Sequence, residues 1–482
     1  MAKSSPRSSK KSKINIYVEF DLDPKDPKSI SYIYLGESLK ALNAHKARSK
    51  KAEKEPRKKE KKPAFIVALE DFTKAIDSLQ KGSALLRAMQ PAVFNSSMKE
   101  TFRYCETHGK KISTRKNPSF VLTPNRWKGF SSSIDHTRDL AIFFKQLPAI
   151  TLLGLVSTYD GLLHQLLHAV FEAVPEIIES SEKTMTYKEI IKGGGFEKAR
   201  EFIIAKEVET VLRDSHQEHF NWLTKRIGIK LTENLEAWPR FVEICERRNL
   251  ITHNGGIVTE QYLKNCKASG FKVDEKIKKG AKLGISPNYL SSAITVFHEI
   301  GLKLTYVIWR KVQPTEIENA DSEISQQCYD LIKKKKLKLA IRILEFTSQC
   351  KDVKDSTLKM MAVNLANAYK LSGDKAKAVE ILGKTDWSAT ADNFQISVAA
   401  VLDEHDKAAA LMRQIGAEGN VAKEDYHEWP VFKDFRESEP FKTTYKSIFK
   451  VDYESDAVAI ESATEISVPT NDLNKIDITS LN

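Results

Sequence analysis

Near the middle of the chain, the stretch CERRNLITHNGGIV (residues 245–258) carries Arg248, Asn249 and His253 close together and then stops on two glycines. Each residue type suits phosphate chemistry. Histidine has the side-chain pKa nearest neutrality, so it can take a proton and return it. A guanidinium is planar and always charged, and it can donate two parallel hydrogen bonds to phosphate oxygens. An amide can orient either group. On an α-helix Asn249 and His253 share a face, whereas Arg248 lies about 140° from His253 and reaches the same place only along its edge.

A plainer reading stays open from the pattern alone. The helix dipole favours a histidine in a last turn, and Arg247 or Arg248 could pair with Glu243 or Glu246. Arginine followed by histidine also occurs at Arg103 with His108 and at Arg213 with His219. Spacing by itself is therefore not specific, and the surrounding elements must decide.

Those elements are helical. In LLGLVSTYDGLLHQLLHAVFEAV, residues Leu152, Val156, Tyr159, Leu163, Leu166 and Val170 alternate steps of four and three, which predicts a long core helix. A further helix is expected from the glycines at 193–195 to Gly228, with Phe202, Ile203, Val208, Val211, Leu212 and Trp222 on its buried side. The helix carrying the candidate residues is expected over about 234–254, ended by Asn254, Gly255 and Gly256 in a left-handed cap. A last apolar helix spans 288–312 and stops before Pro314. Four such helices make a bundle.

This helical stretch, from about 137 to 312, resembles the HEPN superfamily, whose nucleases carry Arg-x4-6-His, often with a polar residue directly after the arginine. Here the motif reads Arg248, Asn249, then Leu250, Ile251 and Thr252, then His253, at the end of the third long helix. The resemblance implies a metal-independent endoribonuclease, with no cofactor and no metal. His253 would move protons between the 2′-hydroxyl and the leaving 5′-oxygen, Arg248 would stabilise the phosphorane-like transition state, and Asn249 would orient the histidine or the phosphate. It further implies a homodimer with one motif from each copy at the site, RNA as substrate, and a toxin-like or antiviral-defence role. A non-catalytic HEPN module that docks RNA or protein is the alternative.

Other constellations are weaker. Asp160, His164 and His168 recur at intervals of four and could hold a divalent metal, although a polar edge on an amphipathic helix explains them equally. Asp160 could also add a carboxylate to the active site, as some HEPN nucleases do. IKGGGFEKAR lacks the lysine-serine ending of a nucleotide-binding loop, and no serine nucleophile elbow occurs, so ATP hydrolysis and serine hydrolysis are not expected.

Downstream, DLIKKKKLKLAIRIL, LANAYKLSGDKAKAVEIL and VAAVLDEHDKAAALM echo one another, each placing a small residue (Ala340, Ala378, Ala409) before apolar ones. The central unit resembles a tetratricopeptide repeat through Leu365, Ala366, Tyr369, Gly373 and Ala378, which implies a protein partner bound on a stacked helical surface. Trp429, Phe432, Phe435 and Phe441 are expected to cap that array.

The net charge of +12 and pI of about 9.1 favour a polyanionic partner. Charge is uneven: HKARSKKAEKEPRKKEKK at 45–62 is strongly basic, and the last thirty or so residues are acidic. Five scattered cysteines disfavour a disulfide framework or a zinc knuckle and fit a reducing cytoplasm. No secretory signal and no apolar run of bilayer-spanning length are expected. The expected fold is mainly α, a HEPN-like helical bundle followed by tetratricopeptide-like repeats, with a small mixed α/β N-terminal region. The expected divisions are a basic, partly disordered segment at 1–63 with a hairpin within 14–35, a mixed region of unassigned role at 64–136, the bundle at 137–313, the repeats at 320–450, and an acidic disordered tail at 451–482.

Overall fold

The structure is a computed structural model that describes strands 15–19 and 32–36 and residues 62–113, 118–179 and 184–454. Residues 45–61 of the basic run and 455–482 of the acidic tail lie outside the described residues. The protein is mainly helical. It divides into two units, residues 1–63 and 64–482. In the first, β1 (Asn15–Glu19) pairs antiparallel with β2 (Tyr32–Gly36), from Asn15 opposite Gly36 to Glu19 opposite Tyr32, so the expected hairpin is present.

The second unit opens with α1 (Ala64–His108) and α2 (Trp127–Ala173), joined by the small hairpin of β3 (Gly109–Ser113) and β4 (Ser119–Leu122). The two long helices run antiparallel: Ser97 meets Thr137 and Thr101 meets Ser133, hydroxyl to hydroxyl at 2.6 Å each. The expected division at 136–137 falls inside α2, which runs through it unbroken. Nor is the region before it separate, because Phe65, Leu69, Phe72 and Ile76 of α1 enter the main core. α2 also corrects the expectation about apolar runs. Within Pro124–Ala173 an 18-residue window has a mean hydropathy of 1.7, long and apolar enough by composition to cross a membrane. Gly154, Ser157 and Thr158 interrupt the leucines by eye but add no charge, so the mean stays high.

After α3 (Glu176–Glu179) and α4 (Tyr187–Lys192) come α5 (Phe196–Leu212), α6 (His216–Ile227), α7 (Trp238–Asn254), α8 (Glu260–Ala268) and α9 (Pro287–Val312). The expected helix to Gly228 is two helices, because Ser215 caps α6 by accepting from the Glu218 N–H. Phe202 is 52% exposed where burial was expected: it stands about 120° round α5 from Val208, and Val208 and Val211 hold the buried face. Gly228 does close α6, at φ 68°. α9 forms the spine. Its Phe297 meets Tyr159 of α2 at 5.5 Å and Phe241 of α7 at 4.9 Å between ring centroids. Gly301 gives Phe72 its seat: a Cβ there would come within 2.1 Å of the ring, so only hydrogen fits.

Three helical hairpins follow: α10 (Ile317–Lys333) with α11 (Leu337–Thr347), α12 (Asp355–Leu371) with α13 (Lys375–Leu382), and α14 (Asp392–Val401) with α15 (His405–Ile415). Each turns through one left-handed residue, Lys335, Gly373 or Asp403. Ala340, Ala378 and Ala409 are buried on the second helices, where a small side chain lets the partner helix approach. The first hairpin and part of α12 share the bundle's core, and the rest form a second core. α16 (Lys423–Glu428), α17 (Lys433–Glu437) and α18 (Glu439–Phe449) close the array over buried Phe432, Phe435 and Phe441, with Trp429 half-buried.

Two enclosed imidazoles make stability depend on pH. Burial and nearby Lys336 push His298 down to about 3, and burial and nearby His216 push His219 down to about 4. The His298 ring has no hydrogen-bond partner. Both bind their proton more tightly when unfolded, at about 6.5, so their contribution is complete above that pH and is lost as pH falls toward 4. Urea titrations at pH 7, 6 and 5 are expected to show stability falling on acidification, by up to about 1.4 kcal/mol per pH unit for each group. His298→Leu should flatten that slope, and an unchanged slope would contradict the assignment.

Candidate functional site

The candidate residues sit at the end of α7, which is firmly moored. Gly255 caps the helix at φ 57°, and the Gly256 N–H donates to Leu250 O at 3.0 Å. Gly256 also lies so close to the 280–283 loop that a Cβ would meet Leu283 O at 2.6 Å. Val258 and Leu283 then donate to Ala281 O and Gly256 O at 2.9 and 2.8 Å, tying the exit strand to that loop. The helix begins at Trp238, later than expected, because residues 231–237 form turns ahead of Pro239.

Below this end lies a carboxylate closed off from water. Glu243 is 0% exposed. Its Oε1 accepts from Arg247 Nε at 2.8 Å and Tyr262 OH at 2.9 Å. Its Oε2 accepts from Arg240 Nη1 and Tyr289 OH, both at 2.9 Å. The guanidiniums of Arg240 and Arg247 also lie over the Tyr289 ring, at 4.5 and 4.1 Å. Burial and the Glu243 charge push both phenols well above the usual tyrosine range, so they stay protonated and donate. Arg247 makes a further bond to Gly284 O at 3.2 Å. Of the two adjacent arginines, Arg247 is thus the structural one.

Arg248 points elsewhere. It is half-buried, and its Nε is enclosed without a hydrogen-bond partner. Its charge acts on Glu246, whose carboxyl burial pushes up against the opposing pull of Asn265, His216 and Arg248. Asn249 is half-buried and His253 is exposed. Helix geometry sets Asn249 and His253 about 40° apart around the axis, and places His253 about 7.5 Å along it from Arg248. The structure therefore puts all three on the final turns of α7 but does not fold Arg248 and His253 into one enclosure within a single copy. Two cavities, of about 90 and 400 Å³, lie elsewhere, and neither is lined by these residues.

Asp160 takes a different partner from those weighed in the sequence. Its Oδ1 is 2.9 Å from Nε2 of His216, a residue that sequence reading passed over. Burial would push that imidazole down, but the Cys245 sulfur and the Asp160 carboxylate reverse this and hold it up, at about 10. His164 and His168 lie against each other, with ring centroids 4.6 Å apart, and His164 is exposed. No group of three or more metal-ligating side chains comes together among the described residues. The other Arg–His spacings are spread apart in role: Arg213 pairs with Glu209, His219 is buried, and His108 lies beside the Tyr104 ring. All five cysteines are free thiols.

Comparison with known proteins adds no kinship: no protein-family model, curated protein or solved structure matches the chain.

The geometry makes Glu243 the support of the site. Glu243→Gln keeps the shape but leaves two guanidiniums without a counter-ion, and its NH2 would face donors. Such a change is expected to remove about 3–5 kcal/mol of stability by urea unfolding. Glu246→Gln, at a half-buried position, should alter it by less than about 1 kcal/mol. Equal effects of the two substitutions would contradict the hub.

Proposed function

We propose that this chain is a metal-independent endoribonuclease of the HEPN type, acting in the cytoplasm as a homodimer. The observation that carries the reading is the contrast between two neighbouring arginines. Arg247 is fully committed to Glu243, Gly284 and Tyr289, whereas Arg248, on the same last turns of α7 as Asn249 and His253, has an enclosed Nε without a hydrogen-bond partner. A donor without an internal partner is free to meet an incoming acceptor. An RNA phosphate is a fitting acceptor, and the +12 charge of the chain favours a polyanion.

In this reading the 2′-hydroxyl attacks the adjacent phosphorus. The O2′–P bond forms, the P–O5′ bond breaks, and the products carry a 2′,3′-cyclic phosphate and a 5′-hydroxyl. His253 from one or the other copy takes the proton from O2′ and returns one to O5′. Arg248 donates to the non-bridging oxygens as charge builds, and Asn249 orients the imidazole or the phosphate. Because His253 is exposed on the single chain, the second copy supplies the enclosing wall across a two-fold axis. The helical hairpins, read as tetratricopeptide-like repeats, recruit or sense a protein partner, and the biological setting is toxin-like growth arrest or antiviral defence. The exposure of His253, with no partner to orient it, favours one second reading: a non-catalytic HEPN module that docks RNA or protein, with the repeats as scaffold.

The test is cleavage of a mixed-sequence RNA by the purified chain in excess chelator. His253→Ala is expected to lower the rate by about 10²–10⁴-fold. Arg248→Lys, which keeps the charge but not the planar fork, should lower it by about 10²-fold or more. Both variants must keep the wild-type unfolding midpoint and molecular mass. Equal cleavage by wild type and His253→Ala, or none by either, would remove the enzyme.

A further inference from the structure

The first helices of the three hairpins, α10, α12 and α14, border a cavity of about 400 Å³ that the segment Trp429–Val431 closes at one side. The size falls within the range of small-ligand sites. Its lining contains no Asp, Glu, Lys, Arg or His, in a chain of which 29% is charged. Whatever enters is therefore uncharged where it is enclosed, since a phosphate or carboxylate would find no counter-ion there.

Two residues of the wall carry a polar atom without a partner. Ser325 is only 3% exposed, and its Oγ has no hydrogen bond; the Oδ1 of Asn393 is likewise enclosed and unpartnered. An amide oxygen can only accept, so a ligand toward which Asn393 turns its Oδ1 brings an N–H or O–H to it. A hydroxyl does either, so Ser325 takes an acceptor or a second donor. Aromatic residues share the lining with them. Tyr329, Phe394 and Trp429 all line the cavity, and Trp429 is backed by Phe432, its ring stacked at 5.7 Å and 9°.

We propose that this cavity binds a nucleobase. An uncharged planar ring that carries N–H donors and ring acceptors in its own plane matches the amide and hydroxyl edge, while its faces match the aromatic walls. Any phosphate it bears stays outside the uncharged lining. The backbone of an extended peptide offers N–H and C=O groups but no ring that carries both in its own plane, and peptides are the competing occupant in the test.

Calorimetric titration of the full chain with adenosine, guanosine, cytidine and uridine tests this directly. At least one is expected to bind saturably, with Ser325→Ala weakening it about 3–10-fold and Asn393→Leu about tenfold or more. The unfolding midpoints of both variants should be unchanged; if Asn393→Leu does not fold, Ser325→Ala and Trp429→Phe carry the test. A short single-stranded oligonucleotide of the preferred base separates the sources. An affinity per base no higher than the nucleoside's points to a free small molecule, and a much higher one to a base presented by a strand. Absence of saturation by every nucleoside, affinities unchanged in the variants, or binding at this cavity by peptides alone would overturn the proposal. Binding is read without any cleavage step, so the outcome is independent of whether the chain is a ribonuclease.

Discussion

Glu243 places a full negative charge where no water reaches it, and the end of α7 depends on how that charge is satisfied. Removing a carboxylate from water costs several kcal/mol unless its lone pairs are met. Here each oxygen receives two donors, one guanidinium and one phenol, which matches the capacity of the group. The phenols come from α8 and α9, so one residue fastens both helices to α7. Its second effect is selective. By holding Arg247 inward it leaves Arg248, about 100° further round the helix, with an Nε that has no hydrogen-bond partner.

Much of this was legible in the sequence. The stripe from Leu152 to Val170 marked the core helix, because the buried positions are apolar at every expected step. The Asn-Gly-Gly stop at 254–256 marked the helix end, because φ near 57° and 81° favours glycine at Gly255 and Gly256. Phe202 misled because it stands about 120° round α5 from Val208, off the face that this helix buries. The choice between Arg247 and Arg248 was not readable, since it rests on Tyr262 and Tyr289, distant in sequence. Glu243 did leave a signal: a charge inside the apolar run FVEIC, with Arg240 three residues before it and Arg247 four after. His216 left none, because its partner Asp160 lies on another helix.

The arrangement also explains why the bundle and the hairpins are not independent. α9 buries residues along its whole length, and Gly301 lets Phe72 of α1 lie directly on it. At its far end Tyr306 and Arg310 both donate to buried Asp321 of α10. The main core therefore passes from α1 through α9 into α10, α11 and α12, and only the later hairpins have a core of their own.

The central claim is that Arg248, Asn249 and His253 promote internal attack by a 2′-hydroxyl. The most direct measurement is the mass of the RNA ends released by the purified chain in chelator. The account predicts fragments ending in a 2′,3′-cyclic phosphate, with a 5′-hydroxyl on the other side of the cut, and no cut at a residue bearing a 2′-O-methyl group. Fragments ending in a 3′-hydroxyl with a 5′-phosphate, or cleavage at the methylated residue, would contradict it.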